Sequence, residues 1–305
     1  MKFTEIIGET NIDFMGFKKY AFIFSGILTL ICIIAIIQIL LGHGNLGIDF
    51  GGGTAVQLKF EKPVRIDTAR AALIKNGVED AELQEFPEDN KILIRLKQLI
   101  TTTEPVADRI ISIFKQEIPD NTFIVDSSSE IGPTVGRKLQ KDAIIAVVLS
   151  FIGIIIYIAL RFEFRFGIAA AIATFHDVIV VVGLFYLLNK EINLLVITAL
   201  LTLAGYSLTD TVVVFDRIRE YLRVRRRDPI EMIINNGINH VLCRTIIVSL
   251  TTLLVLIALF FFGGEVIHDF SFALLMGVLV GTYSSVFVAS PLLILWKGKT
   301  GIVKK

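Results

Sequence analysis

The chain has only two cysteines in 305 residues. Cys32 lies inside the first apolar run and Cys243 among residues assigned below to the cytoplasmic side. That pattern excludes a disulfide framework. The four histidines, His43, His176, His240 and His268, show no ligand spacing, and no His-Glu-x-x-His helix exists, so no metal centre is expected. Gly47-Ile48-Asp49-Phe50-Gly51-Gly52-Gly53-Thr54 superficially resembles a phosphate loop, but it lacks the Lys-Ser/Thr pair and follows an apolar run rather than a strand. It reads as a structural turn. No membrane-protease nucleophile motif is visible either. No enzymatic activity and no cofactor are expected, and any work must draw on an ion gradient or a partner. The net charge of +1 names no partner, and nucleic acid is not among those expected.

What is abundant is apolar: 54% of the residues are hydrophobic and the mean hydropathy is +0.71, the composition of a polytopic membrane protein. Six runs are long enough to span a bilayer, at residues 20–41, 143–160, 166–188, 192–215, 245–262 and 270–296. The first is too long for a signal-peptide core and has no obvious cleavage site, so it is read as a retained anchor. Basic residues mark one side. Lys18 and Lys19 precede the first run, Arg161 and Arg165 separate the second and third, and Arg217, Arg219, Arg223, Arg225, Arg226 and Arg227 follow the fourth. Lys297, Lys299, Lys304 and Lys305 follow the sixth, whereas the opposite short loops carry only Lys190 between them. The positive-inside rule places both termini in the cytoplasm and the segment after the first run outside.

Residues 45–137 interrupt the apolar pattern. Val56, Leu58 and Phe60 alternate with Gln57 and Lys59, as on a half-buried strand. Residues 66–75 predict a helix ending at Asn76-Gly77. Residues 81–86 and 91–97 predict paired strands about a turn at 87–90, with Ile92, Ile94 and Leu96 on one face. Thr103 is a candidate helix cap, with Pro105 in the first turn and Val106, Ile110, Ile113 and Phe114 as the apolar stripe. Residues 122–126 predict a last strand. The order β-α-β-β-α-β is the split, ferredoxin-like pattern. The expected architecture is therefore a six-span α-helical membrane protein with a small α+β ferredoxin-like extracytoplasmic domain between spans one and two. Its divisions are 1–44 (cytoplasmic N-terminus and first span), 45–137, 138–297 (spans two to six) and 298–305 (cytoplasmic tail). Gly132-Pro133-Thr134-Val135-Gly136 marks the return toward the membrane.

Charge inside an apolar run costs roughly 2.5–3.5 kcal/mol and calls for a reason. Asp210 lies in the fourth run, and Arg244 opens the fifth with the opposite sign. Such a pair fits proton coupling, the alternative being a fixed salt bridge, although a buried pair seldom adds net stability over an apolar substitute. Ser207 and Thr209 precede the acid and can hydrogen-bond or hydrate it. His176-Asp177, in the third run, fits either a proton relay or a pair of internally satisfied polar groups. At adjacent positions their side chains are expected to diverge. From Asp216 and Arg217 a cytoplasmic amphipathic helix is expected, with Asp216/Glu220 and Arg217/Tyr221 at i+4. The arginines of 223–227 read as contacts to anionic lipid. Gly277, Gly281, Ser284 and Ser285 form a close-packing face in the sixth run.

In colinear order, Gly47–Thr54, Gly132–Gly136, His176-Asp177, the run 207–220 with Asp210, Asp216 and Arg217, Arg244-Thr245 and the ending Phe261-Phe262-Gly263-Gly264 resemble the SecF group of the SecD/SecF protein-export family, in the resistance-nodulation-division (RND) superfamily. The resemblance runs from residue 47 to residue 296. Thr209 stands where many relatives have Asn, and Cys243 where Ser is usual. The resemblance implies a bacterial cytoplasmic-membrane subunit that uses the proton motive force to help late translocation and release of unfolded secretory polypeptides, with Asp210 and Arg244 as the proton-coupling residues. It implies SecD as heterodimer partner, the SecYEG channel, and YajC or YidC as further subunits. Two other readings stand beside it: a translocon scaffold that uses no protons, and half of an RND-like exporter of lipids or small molecules. Asp210→Asn separates the first alternative, and the ligand of the 45–137 domain separates the second.

Overall fold

The computed structural model describes residues 10–96, 105–225 and 227–295. Thr103, Lys97, Arg226, Trp296 and the basic tail with Lys297, Lys299, Lys304 and Lys305 lie outside the described residues. The chain divides into two compact units, Leu46–Ile145 and Met1–Asn45 with Ala146–Lys305.

The first unit opens with a single helical turn, α1 (Ile48–Gly51), followed by β1 (Gly53–Phe60), α2 (Ile66–Lys75), β2 (Ala81–Phe86), β3 (Lys91–Leu96), α3 (Val106–Glu117) and β4 (Phe123–Ile131). The sheet order is β2-β3-β1-β4 with every neighbouring pair antiparallel, which is the ferredoxin-like arrangement. Alternation works as expected on the core face: Val56, Leu58, Phe60, Ile92, Ile94 and Leu96 are buried with Leu73, Ile110 and Phe114 from the two helices. The rings of Phe60, Phe114 and Phe123 meet at 5.4–6.5 Å between centroids. Asn90 takes the left-handed conformation (φ 54°) that closes the turn before β3. Lys75 (2.8 Å) and Asn76 (3.2 Å) donate to Glu117, tying α2 to α3 and holding its carboxyl below the usual range.

Two features differ from the pattern reading. Gln57, expected to face outward, is buried, and its Oε1 accepts from Ser127 Oγ at 3.1 Å. Strand β4 extends to Ile131, beyond the expected 122–126. Its second half, Ser127-Ser128-Ser129-Glu130, has no apolar alternation, because it is an exposed edge strand held by the backbone ladder to β1. Phe114→Ala is expected to cost about 3–5 kcal/mol, the usual range for emptying a phenylalanine site. Hydrogen exchange of β1 in the full-length protein reads it. A loss below about 0.5 kcal/mol, typical of surface positions, would show that this cluster is not the domain's core.

The second unit contains α4 (Lys18–Gln38), the end of α5 (Pro133–Arg161), α6 (Phe164–Leu187), α7 (Leu194–Val224), α8 (Ile230–Phe262), α9 (Glu265–Ser284) and α10 (Ser290–Leu295). Among the described residues, six stretches are long and apolar enough to cross a membrane: Lys18–His43, Pro133–Arg161, Phe164–Leu187, Leu194–Val224, Ile230–Phe262 and Val266–Ile294. The helix expected to start at Asp216 is instead the continuation of α7, since nothing near residue 216 breaks a helix. Likewise α8 starts at Ile230, so Arg244 sits in mid-helix. Its first turns bury Ile230, Ile233, Ile234, Gly237 and Ile238, a helical stripe. Glycine permits the tightest crossing: a Cβ at Gly183 of α6 would lie 2.7 Å from Cys32 Cα of α4. The segment before α4 is strapped to α8 by side-chain amides. Asn239 Oδ1 accepts from Ile12 N (2.9 Å) and its Nδ2 donates to Ile12 O (2.8 Å), while Asn235 Oδ1 accepts from Phe14 N (2.8 Å).

Candidate functional site

The polar residues of the apolar helices converge where α6, α7, α8 and α9 pack together. Asp210 is half-buried on α7. Its Oδ1 accepts from Thr245 Oγ1 of α8 at 3.0 Å, and its Oδ2 accepts from Ser285 Oγ at 2.6 Å. One carboxylate therefore ties three helices together. Ser285 opens a wider, π-type turn, Ser285–Ala289, that follows α9. Pro291 accounts for it: a proline has no N–H, and its ring crowds the carbonyl four residues back. Ser290 Oγ donates to Ser285 O at 2.8 Å, satisfying a carbonyl in the widened turn.

Arg244 does not chelate Asp210: none of its nitrogens comes within 4.0 Å of the carboxylate. It is exposed, and it shares with Asp210 a cavity of about 150 Å³ lined by Tyr206, Thr209, Val213, Thr245 and Val248. That volume accommodates several waters among polar groups. The charges acting on Asp210 are Arg244, of opposite sign, and Asp177, of like sign. Thr209 lines the cavity while its own hydroxyl donates to Gly205 O at 2.9 Å.

Asp177, on α6, is fully buried. Its Oδ2 accepts from Ser284 Oγ at 2.7 Å and from Ser207 Oγ, and its Oδ1 lies 2.9 Å from His176 Nδ1. The expected divergence of His176 and Asp177 does not occur. Nδ1 sits next to the ring's attachment point, so a short aspartate one residue on can reach it. Adjacent hydroxyls at the end of α9 thus serve different carboxylates, Ser284 holding Asp177 and Ser285 holding Asp210. Close packing made room for this: a Cβ at Gly281 would lie 3.3 Å from Ser207 Cβ and 3.6 Å from Asp177 Oδ2.

The remaining sequence candidates lie apart from this cluster. Asp216 accepts from Arg161 Nη2 of α5 at 2.7 Å, and Arg217 contacts Glu220 and His240 and stacks over Tyr221 at 5.1 Å. They tie α7 to the end of α5 and to α8. In the sequence Ser284 and Ser285 read only as packing residues, and no pattern there assigns Thr245 to Asp210. A signal was present: hydroxyls on the two helices that must face a buried acid are the cheapest way to satisfy it.

Among the described residues, six membrane-length helices, a ferredoxin-like domain inserted after the first, and two hydroxyl-held carboxylates, one of them sharing a cavity with an arginine, define a polytopic membrane protein with a polar cluster among its apolar helices. The family described as protein export membrane protein SecD/SecF, C-terminal, matches residues 112–299, and the SecD/SecF GG motif matches residues 45–64. The chain is 50% identical to the protein translocase subunit SecF of Thermodesulfovibrio yellowstonii over 99% of each chain. Against that of Calditerrivibrio nitroreducens it is 44% identical, over 97% of this chain and 98% of the relative. A crystal structure of SecDF, a translocon-associated membrane protein from Thermus thermophilus, superposes with a TM-score of 0.83 at 35% identity, covering 95% of this chain and 39% of that one. A SecDF structure in a super-membrane-facing form gives 0.68 over 94% and 39%. The chain therefore belongs to the SecD/SecF family of protein-export membrane proteins, and spans well under half the length of the SecDF chains it matches.

Proposed function

We propose that this chain is a subunit of protein translocase that uses the proton motive force to promote late translocation and release of secretory polypeptides, in partnership with a SecD chain. It works as a proton-driven device in the bacterial cytoplasmic membrane rather than as an enzyme, with both termini cytoplasmic and residues 45–137 outside. The observation that carries the reading is Asp210: a carboxylate in mid-helix that joins three helices through two hydroxyls and opens onto a cavity shared with Arg244.

A carboxylate accepts charge-assisted hydrogen bonds, and protonation weakens both. It also removes the attraction between Asp210 and Arg244, whose guanidinium stays charged throughout. The tie among α7, α8 and the end of α9 then loosens, and deprotonation restores it. One charge moving through 100 mV supplies about 2.3 kcal/mol, enough to bias a two-state element. The domain, joined to the bundle through α5, changes its grip on the emerging polypeptide as the helices shift.

The face of α7 bearing Thr198, Thr202, Gly205 and Thr209 is exposed, as is Arg244. A cation at membrane depth facing lipid is costly, and small or hydroxyl residues let another helix approach closely. Both favour a partner covering this face, and the length of the SecDF chains favours SecD. The SecYEG channel, with YajC or YidC, completes the assembly we propose. The test is release of a secretory protein from membrane vesicles with this chain present or absent, and with the gradient intact or collapsed. Gradient-stimulated release only when the chain is present is the expected result. Equal stimulation without it would overturn the reading.

A further inference from the structure

We infer that His176 is a second proton-binding site inside the helix bundle, with Asp177 fixing its tautomer and Nε2 as the atom that takes up and releases the proton. Three donors converge on Asp177: Ser207 Oγ, Ser284 Oγ and His176 Nδ1. A group that takes three donors and offers none has the geometry of a carboxylate, whereas a carboxylic acid would use one oxygen to donate. An ionised carboxylate only accepts, so Nδ1 carries the ring hydrogen and Nε2 holds the lone pair. His176 is only 6% exposed, and Nε2 is buried without a hydrogen-bond partner among the described residues. A histidine kept only for packing usually has both nitrogens satisfied, because a buried unpaired acceptor costs free energy. A base whose second nitrogen is bare, with a carboxylate fixed behind it, is built to receive a proton. The counter-ion is already in place, so the imidazolium is not a lone buried charge.

The groups around the pair are few. Helix α7 contributes Ser207 and, beyond it, Asp210; α9 contributes Ser284. The thiol of Cys32 on α4 faces the carbonyl of Val180, one turn along α6, and Arg244 of α8 shares its cavity with Asp210. The two acids are linked through the end of α9, where the consecutive residues Ser284 and Ser285 hold one each. Uptake breaks one O–H bond, of hydronium or of a carboxylic acid, and forms one Nε2–H bond; release reverses it. The part this site plays in the cycle rests on the proton-coupled reading of Asp210, but its protonation is a separate measurement.

The measurement is ¹⁵N NMR of the histidine-labelled full-length chain in lipid bilayers across a pH titration, with His176→Gln identifying the signals. The expected result is an Nδ1–H neutral ring that converts to imidazolium within the range where the protein stays folded. Asp177→Asn is expected to weaken that proton binding at least about tenfold, one pH unit. A ring that keeps one form throughout, or a neutral ring carrying its hydrogen on Nε2, overturns the inference; if the Asn variant does not fold, the wild-type titration decides. Gradient-dependent release by Asp210→Asn is measured alongside. A fixed His176 with a gradient-blind Asp210→Asn sinks this inference alone. A titrating His176 with a gradient-responsive Asp210→Asn sinks the coupling through Asp210 and leaves the site standing.

Discussion

Vesicles carrying Asp210→Asn are expected to release secretory protein at the rate of wild-type vesicles whose gradient has been collapsed. Asparagine keeps the shape of the site. Its Oδ1 can still accept from Thr245, and its amide nitrogen can donate to the Ser285 hydroxyl, so the three helices stay joined through weaker, neutral hydrogen bonds, as in the protonated acid. What disappears is the titration. If one proton moving through 100 mV biases the helices by about 2.3 kcal/mol, removing it forfeits up to roughly a 50-fold population shift. Ser285→Ala separates charge from structure: it keeps the titrating carboxylate and its bond to Thr245 but removes one charge-assisted hydrogen bond, so a reduced gradient response should remain while the bundle weakens by about 1.5–3 kcal/mol. Co-purification with the partner at wild-type levels serves as the folding control. If Asp210→Asn releases at the full gradient-stimulated rate, the carboxylate is structural and the scaffold reading replaces the coupled one.

Much of this site was legible before any coordinates, and the reason is dielectric. An acid inside an apolar run is anomalous in one dimension, so Asp210, Asp177, His176 and Arg244 all stand out in the sequence. What holds them does not stand out. Ser284, Ser285 and Thr245 are ordinary residues of membrane helices, and only packing decides which hydroxyl meets which carboxylate. Asp210 and Arg244 mark the same limit: opposite charges on successive helices signal proximity, whereas the structure has them sharing a cavity without direct contact. In the sheet domain, periodicity identified the strands that face the core. It failed for the second half of β4, whose serines carry no pattern and whose place is set by backbone pairing to β1. Helix ends fared worst. Span boundaries follow hydropathy, but α7 and α8 continue past them because amphipathic packing, with no breaker in the way, extends the same helix.

The glycines at residues 51–53 look equivalent in sequence and are expected to behave very differently when changed. Gly52 has φ 74° and ψ 164°, a region essentially closed to residues with a Cβ, at a cost of about 1–3 kcal/mol. An added Cβ would also lie 3.1 Å from Pro133 Cα and 3.2 Å from Ile131 O, backbone that cannot swing aside. Gly136 completes the junction from the other side, its virtual Cβ lying 3.0 Å from Gly52 N and 3.1 Å from Phe50 O. These contacts close the domain's base, where β1 starts at Gly53 opposite Ile131 at the end of β4. Gly51, by contrast, lies in the short helix α1 with nothing within 4 Å of its added Cβ, and Gly132 is equally open. Gly52→Ala and Gly136→Ala should therefore loosen the β1–β4 pairing at its base. Amides near Gly53 and Ile131 should exchange about tenfold faster or more for each 1.4 kcal/mol lost. Gly51→Ala and Gly132→Ala should leave exchange there close to wild type. The comparison is made by hydrogen exchange on the full-length chain in membranes. Equal damage from all four substitutions would mean that this junction is governed by general flexibility rather than by two glycines that allow backbones to touch.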